Sequence, residues 1–97
     1  MIFVGTDIVP IIRIENLIKE KGKRFLNHIY TKLEQNVCNA KKSPFIHYSG
    51  KFAAKEAVKK ALLSSKLTKD IPLVSIEIQN DDDGIPLVHI LQKNIKY

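Results

Sequence analysis

The fold is decided by residues 50–61, which read Gly-Lys-Phe-Ala-Ala-Lys-Glu-Ala-Val-Lys-Lys-Ala. At about 100° per residue, small and apolar residues fill one arc of a helix, and the charged residues fall in the opposite sector together with Phe52. The small and apolar arc consists of Ala53, Ala54, Ala57, Val58, Ala61 and Leu62. Because most of its members are alanines, we expect this arc to pack closely against another element. The other sector then presents Glu56 among lysines.

Signals on either side of this stretch predict a long helix. Ser43 and Pro44 pair a capping hydroxyl with proline at the first helical position. We expect the helix to run from there to about Ser64. Gly50 lies inside it, which costs about 1 kcal/mol relative to alanine. We expect that glycine to let another group approach closely.

Three shorter helices are predicted before the long one begins. Apolar residues recur at helical spacing between Pro10 and Gly22 and indicate a first helix; they are Ile11, Ile14, Leu17 and Ile18. Residues 24–30 continue as a second, shorter helical piece. The stretch Thr31-Lys32-Leu33-Glu34 fits a capping box and predicts a third helix through about Asn39.

Strand patterns stand at the two ends of the chain. Residues 2–9 read as a buried strand, and a carboxylate inside it, Asp7, is costly to bury unless it is paired or bound to a metal. Residues 74–79 alternate apolar and polar side chains, residues 81–84 form an Asp-Gly turn, and residues 85–91 return as a second strand. A strand, several helices and an antiparallel hairpin indicate an α+β fold with a small sheet.

Composition limits the classes of protein to which the chain can belong. The 97 residues, 44% of them hydrophobic and 27% charged, predict one small globular domain over residues 1–97 and exclude a wholly disordered chain. Apolar runs are too short to cross a bilayer, and no signal peptide is expected at the N-terminus. The single cysteine, Cys38, excludes an intrachain disulfide and favours the reducing cytoplasm. We expect its thiol to fill space in the core rather than act as a nucleophile.

The positive charge concentrates in one segment. The formal net charge is +6, and residues 51–69 carry six lysines and one acid, Glu56. Lysine is a mobile point charge that suits phosphates and acidic surfaces, so we expect an anionic partner and no sequence-specific nucleic-acid recognition. Two other interpretations stay open at this point. The segment could be a merely solvated basic face, or the chain could be a non-enzymatic basic module that binds RNA or an acidic protein.

Asp7 and Glu56 suit a magnesium ion that is bound to a diphosphate. Mg²⁺ takes one or two carboxylates, and substrate phosphates with water complete its shell. Neighbouring lysines would neutralise the remaining phosphate charge. A plainer alternative is an ion pair between Glu56 and Lys60 on the helix surface, four residues apart.

Other chemistries have no support in the sequence. Neither of the common glycine-rich phosphate-binding motifs occurs. His28, His47 and His89 follow no zinc pattern, and the serines lack the glycines of a nucleophile elbow. Residues 81–83 lack the closing glutamate of a calcium loop.

Four stretches of the chain match the motifs of one family. Gly5-Thr6-Asp7-Ile8-Val9, followed by Arg13-Ile14, resembles the opening motif G-[LTV]-D-[IL]-x-x-x-x-R-[IVL] of holo-acyl-carrier-protein synthases. Residues 52–61 resemble the motif F-[AS]-x-K-E-[AS]-x-x-K-[AS] of the same family. Arg24-Phe25 with residues 31–34, and residues 76–78 with the turn at 83–86, resemble its intervening and hairpin stretches. The resemblance covers nearly the whole chain and implies the 4′-phosphopantetheinyl transferase fold.

The resemblance also implies an activity. Members of this family move the 4′-phosphopantetheine arm of coenzyme A onto a serine of apo-acyl-carrier protein, with Mg²⁺, in fatty acid biosynthesis. They are typically homotrimers, with each site between two subunits. We therefore expect coenzyme A and an acidic carrier protein as partners, and no membrane insertion.

Site residues follow by matching positions. The resemblance implies Asp7 and Glu56 as metal ligands, Glu56 and Lys60 as catalytic residues, Lys60 and Lys51 as coenzyme A contacts, and Arg13 and Arg24 as the carrier-protein docking residues. Glu56 is further expected to take the serine proton, directly or through a metal-held water.

Two stretches depart from the family pattern. Residues 62–68 stand where the family has a glycine-containing loop that approaches coenzyme A. The family's closing segment, S-[ILV]-[ST]-H with a further strand, has no counterpart, so we expect a chain that lacks the C-terminal part of the family domain. A structural or degenerate family member is a further alternative.

Overall fold

The described part of the chain is a set of helices followed by a hairpin. The structure is a computed structural model that describes residues 10–66 and 70–91. Within these residues the elements are α1 (Ile11–Lys21), α2 (Lys23–Ile29), α3 (Lys32–Asn39), α4 (Pro44–Ser64), a 3₁₀ helix (Leu73–Ser75), β1 (Ile76–Asn80) and β2 (Pro86–Ile90). This order agrees with the predicted α+β fold. The strand predicted at residues 2–9 lies outside the described residues.

Local signals set the end of α1 and the start of α3 as predicted, whereas α2 begins and ends one residue earlier than predicted. α1 stops at Gly22, whose φ is +58° and whose N–H donates to the Ile18 carbonyl oxygen at 2.7 Å. The capping box of α3 is complete. The Glu34 N–H donates to Thr31 Oγ1 at 3.2 Å, and the Thr31 N–H donates to Glu34 Oε1 at 2.8 Å. Glycine tolerates a positive φ at a helix end, and the reciprocal cap satisfies two otherwise free amides.

α4 begins where predicted but without the predicted cap. Pro44 takes the first helical position, while the Ser43 side chain makes no capping hydrogen bond. The fixed φ of proline is enough to start the helix. A second expectation is also wrong, because a Cβ built on Gly50 would meet nothing within 4 Å. No group in the described part approaches this glycine closely.

The strands of the hairpin differ from their predicted bounds, since β1 begins two residues later and ends one residue later, and β2 is one residue shorter at each end. Val74 belongs to the 3₁₀ helix that follows Pro72, because the Ser75 N–H donates back to the Pro72 carbonyl oxygen at 2.9 Å. β1 and β2 are antiparallel, and Ile78 lies opposite Val88. Gly84, at φ +82°, closes the predicted turn by donating its N–H to the Asp81 carbonyl oxygen at 2.9 Å.

The described residues form two apolar clusters. The larger one joins the first three helices to α4 and contains Ile14, Ile29, Tyr30, Cys38 and Tyr48. The smaller one lies between α4 and the hairpin and contains Ile71, Ile76 and Ile78, packed against Ala54, Val58 and Leu62. Only part of the predicted alanine arc is therefore a packing face, and Ala61 is exposed.

Cys38 behaves as a core residue. Its side chain is fully buried, and burial raises the pKa of its thiol to about 11. A thiol with that pKa stays protonated at neutral pH and is a poor nucleophile, which supports the packing role.

The helices of residues 10–66 and 70–91 are also informative about membranes. None of them combines the length and the apolar character that crossing a bilayer requires.

The end of α4 gives a test of backbone strain. Lys66 follows the helix with a φ of +60°, in the left-handed region that costs a residue with a Cβ roughly 1 kcal/mol. We expect Lys66→Gly to raise the free energy of unfolding by about 0.5–1 kcal/mol, measured by urea denaturation. Lys66→Ala is the control, since it removes the charge and keeps the Cβ. Equal stabilities of the two variants would contradict the strain.

Candidate active site

A row of lysines runs along one face of α4. Lys51, Lys55 and Lys59 are spaced four residues apart, which places them on the same side of a helix. All three reach acceptors of their own chain. The predicted arrangement, in which the lysines of α4 lie away from the packing face, is therefore wrong for this row.

Lys55 is the most deeply placed of the three. Its side chain has no exposed area. Its Nζ lies 2.6 Å from Glu34 Oε1, and it donates to the Ile76 carbonyl oxygen at 2.6 Å and to the Leu73 carbonyl oxygen at 3.0 Å. Burial lowers the pKa of Lys55, and the hydrogen bond from its ammonium to Glu34 opposes that shift. The three N–H groups of the ammonium therefore each have an acceptor.

Glu34 joins three elements through its two oxygens. Besides Lys55, Oε1 accepts the Thr31 N–H at the start of α3, and Oε2 accepts the Ile78 N–H of β1 at 2.7 Å. The Thr31 hydroxyl donates in turn to Glu77 Oε2 at 2.7 Å, and this hydrogen bond lowers the pKa of the Glu77 carboxyl. The carboxylate of Glu34 is thus both a helix cap and the counter-ion of a buried ammonium.

The two outer lysines of the row are bonded to their own chain as well. Lys51 is buried, and its Nζ donates to the Ile78 carbonyl oxygen at 2.7 Å. Lys59 lies 3.4 Å from Asp70, with 28% of its side chain exposed. Lys51, Lys55 and Lys59, which belong to the basic segment of residues 51–69, therefore all have partners inside the chain. The interpretation of that segment as a merely solvated basic face is wrong.

Glu56 and Lys60 lie on a different side of α4. Glu56 is half-buried and Lys60 is exposed. Among the described residues there are three ion pairs, and Glu56 takes part in none of them. The alternative of a helix-surface ion pair between Glu56 and Lys60 is therefore not observed. Asp7, predicted as the second carboxylate, lies outside the described residues.

A groove runs beside the N-terminal half of α4. It has a volume of about 340 Å³ and basic side chains from Lys41, His47 and Lys51. The rest of its wall is formed by Val37, Ile46, Gly50, Ala54, Ile78, Asn80 and Pro86. Gly50 has no side chain, so this part of the groove is not filled, and widening the groove is the role that the structure gives to this glycine. A partly apolar wall with positive groups suits a ligand that carries phosphate.

The two arginines lie on the first helices. Arg13 is an exposed residue of α1. Arg24 is an exposed residue of α2 and lines a second cavity with Glu20, Lys21, Phe25 and His28. Both guanidinium groups are therefore on the surface, as a docking role requires.

Comparison with known proteins identifies the family. Residues 3–97 match the family model described as the 4′-phosphopantetheinyl transferase superfamily. The chain belongs to this superfamily. The predictions of the family and of a phosphopantetheinyl transferase enzyme are confirmed. The alternative of a non-enzymatic basic module loses its support.

Similar proteins carry one name. The chain is 47% identical over 87 residues to the holo-[acyl-carrier-protein] synthase of Protochlamydia amoebophila. The aligned region covers 90% of this chain and 70% of that protein. The chain is also 41% identical over 87 residues to the synthase of Thermodesulfovibrio yellowstonii. That aligned region covers 90% of this chain and 74% of the relative.

Solved structures confirm the predicted fold. A holo-(acyl-carrier-protein) synthase of Bacillus anthracis, crystallised with CoA (3′,5′-ADP), has a TM-score of 0.72 at 32% identity and covers 90% of this chain and 73% of that one. The synthase of Neisseria meningitidis also has a TM-score of 0.72, at 31% identity, and covers 87% of this chain and 66% of that one.

The buried pair is what reasoning from the sequence missed. Lys55 and Glu34 are 21 positions apart, and each has an ordinary local role, one in a basic segment and one in a capping box. The spacing of Lys51, Lys55 and Lys59 was the one available signal, since a repeat of four marks one helix face.

The lysine row gives a matched pair of variants. We expect Lys55→Ala to lower the free energy of unfolding by about 3–5 kcal/mol, because it leaves the buried Glu34 carboxylate without its counter-ion. Lys59→Ala removes the same side chain one turn further along, where the ion pair is partly exposed, and should cost below about 1 kcal/mol. Urea denaturation of both variants measures the difference. Similar losses would contradict the burial of the pair.

Proposed function

We propose that this chain transfers the 4′-phosphopantetheine group of coenzyme A to a serine of apo-acyl-carrier protein, with Mg²⁺, as a step of fatty acid biosynthesis. The observation that carries the proposal is the family match over residues 3–97, together with relatives named as synthases of this type at 47% and 41% identity. Both matches cover 90% of this chain. We propose one domain over residues 1–97.

The environment of Glu56 supports a metal-binding role. A half-buried carboxylate outside the ion pairs of the described residues keeps its oxygens for another cation. Mg²⁺ prefers such hard oxygen ligands and needs only one or two of them from the protein. Asp7 is the proposed second ligand. When bound, the ion would offset the charge of the diphosphate and of the leaving bisphosphate.

Two proposed coenzyme A contacts lie on opposite sides of α4. Lys51 and Lys60 are nine residues apart, which in a helix is about 180° of rotation and about 13 Å along the axis. One coenzyme A molecule cannot easily reach both within a single chain. The proposed homotrimer would let two copies of the chain share each site, so that Lys51 of one copy and Lys60 of another contact the same coenzyme A molecule.

The groove beside α4 is the proposed coenzyme A surface of the second copy. Its basic groups suit phosphates, and its apolar wall suits the pantetheine arm. Lys51 donates to the Ile78 carbonyl oxygen in the described chain. Its cation still contributes positive potential to the groove without leaving that partner.

Charge supports the proposed protein partner and location. A net charge of +6 favours association with an acidic carrier protein, and the exposed Arg13 and Arg24 are the proposed docking residues. A buried free thiol at Cys38 is compatible with the reducing cytoplasm, which is the location we propose. Glu56 is the proposed base for the serine hydroxyl, directly or through water, and Lys60 the proposed phosphate contact beside it.

Mass spectrometry of the carrier protein tests the function. Apo-acyl-carrier protein incubated with coenzyme A, Mg²⁺ and this chain should gain the mass of one phosphopantetheine arm. Glu56→Ala should lower the rate of transfer at least about a hundredfold, because the metal ion that binds the phosphates loses a protein ligand. Glu15→Ala removes a carboxylate that is paired with Lys19 on the surface and should leave the rate unchanged. A fully active Glu56→Ala variant would refute the metal role.

Steady-state kinetics test the docking residues. Arg13→Ala should raise KM for the carrier protein about tenfold, since it removes a charge that would meet the acidic partner, and should leave KM for coenzyme A nearly unchanged. Lys32→Ala is the control, an exposed cation at the start of α3. Equal effects of Arg13→Ala on both KM values would reject the docking role.

A further inference from the structure

A buried ionic tie holds α4 immediately beside the proposed metal ligand. Lys55 precedes Glu56 in the chain, and its ammonium contacts α3 through Glu34, β1 through Ile76 and the 3₁₀ helix through Leu73. We propose that Lys55, held by Glu34, is a positioning residue that sets the rotation of α4 and so directs Glu56 toward the reacting phosphates. This inference rests on the proposed function.

Neighbouring positions on a helix have a fixed angular relation. Side chains of consecutive residues leave the axis about 100° apart, so the direction of Lys55 determines that of Glu56. The three acceptors of Lys55 belong to three different segments, and the ammonium has no exposed area through which to relax. α4 cannot turn about its axis without breaking all three contacts.

A second tie lies one turn earlier on the same face. Lys51 donates to the carbonyl oxygen of Ile78, and Glu34 accepts the N–H of the same residue. The two lysines therefore fix α4 to β1 at two points along its length. Two points on one face define the tilt of the helix as well as its rotation.

Stability alone does not account for this arrangement. A buried ion pair often contributes little more than an apolar pair of the same size, because both ions lose their hydration. A well-bonded pair does impose directions that apolar packing does not, since hydrogen bonds weaken steeply when their angles change. Directional control matters most where the next residue holds a reacting group, because a misplacement of about 1 Å can cost roughly a hundredfold in rate.

The test uses a variant that keeps both charges. Glu34→Asp shortens the tie by one methylene and leaves Lys55 with a nearby carboxylate. In the full chain we expect kcat to fall about tenfold to a hundredfold while KM for coenzyme A and for carrier protein stays nearly unchanged. Ile71→Val, a substitution of a fully buried residue of the smaller apolar cluster, controls for loss of stability and should leave kcat unchanged. Circular dichroism gives the folded fraction to which each rate is normalised.

A double-mutant cycle separates positioning from general damage. Glu56→Gln removes the group through which Lys55 is proposed to act, so adding Glu34→Asp to it should lower kcat by less than about twofold. Losses that multiply, or an unchanged kcat in Glu34→Asp alone, would overturn the proposal. If Glu34→Asp does not fold, Lys55→Arg replaces it in the same double-mutant cycle, because arginine keeps the positive charge and changes its geometry.

A binding measurement keeps the inference separate from the proposed function. Mn²⁺ serves as the probe, and electron paramagnetic resonance measures its binding to the chain in the presence of coenzyme A. Glu34→Asp should weaken Mn²⁺ binding, and Ile71→Val should not. If the unmodified chain transfers no phosphopantetheine to the carrier protein, the proposed function is refuted. Equal Mn²⁺ affinities in both variants and in the unmodified chain would refute positioning by Lys55.

Discussion

The carboxylate of Glu34 and the ammonium of Lys55 form an ion pair that has no contact with solvent. Charges in such a place are tolerated only when every lone pair and proton has a partner. Here the carboxylate caps α3 and accepts an amide of β1, while the ammonium takes two main-chain carbonyls. The pair therefore fixes how the cap of one helix, the face of another and the start of a strand meet. Both apolar clusters meet the pair, since Lys55 Nζ lies 5.6 Å from the centre of the Tyr30 ring in the larger one and donates to the Ile76 carbonyl oxygen in the smaller one.

Local sequence signals were sufficient for most of the elements. Gly22, the capping box at Thr31 and the turn at Gly84 each act through bonds to residues a few positions away, so their effect can be read from a short stretch. Val74 was wrongly placed in a strand because a 3₁₀ turn after Pro72 competes with the alternating pattern. Ser43 was wrongly given a capping bond because proline alone starts the helix.

Contacts between distant residues were what the sequence could not supply. A lysine in a basic segment is normally solvated, and nothing local indicates that Lys55 meets a carboxylate 21 positions earlier. The family motifs brought Glu56, Lys60 and Arg13 forward by matching positions rather than by geometry. The structure adds two observations. Glu56 takes part in none of the three ion pairs among the described residues, and Lys51 and Lys60 lie on different sides of α4.

The outer edge of β1 has a consequence for assembly. On the side away from β2, the Ile76 carbonyl accepts from Lys55, and both main-chain groups of Ile78 are taken by Glu34 and Lys51. A sheet edge whose main-chain groups are left unpaired normally invites another strand, which leads to uncontrolled pairing between molecules. A strand arriving on this side would have to displace three charged side chains, two of them lysines. Growth of the sheet is thereby directed to one side, that of β2, and the same side chains that orient α4 also protect the chain against edge-to-edge aggregation.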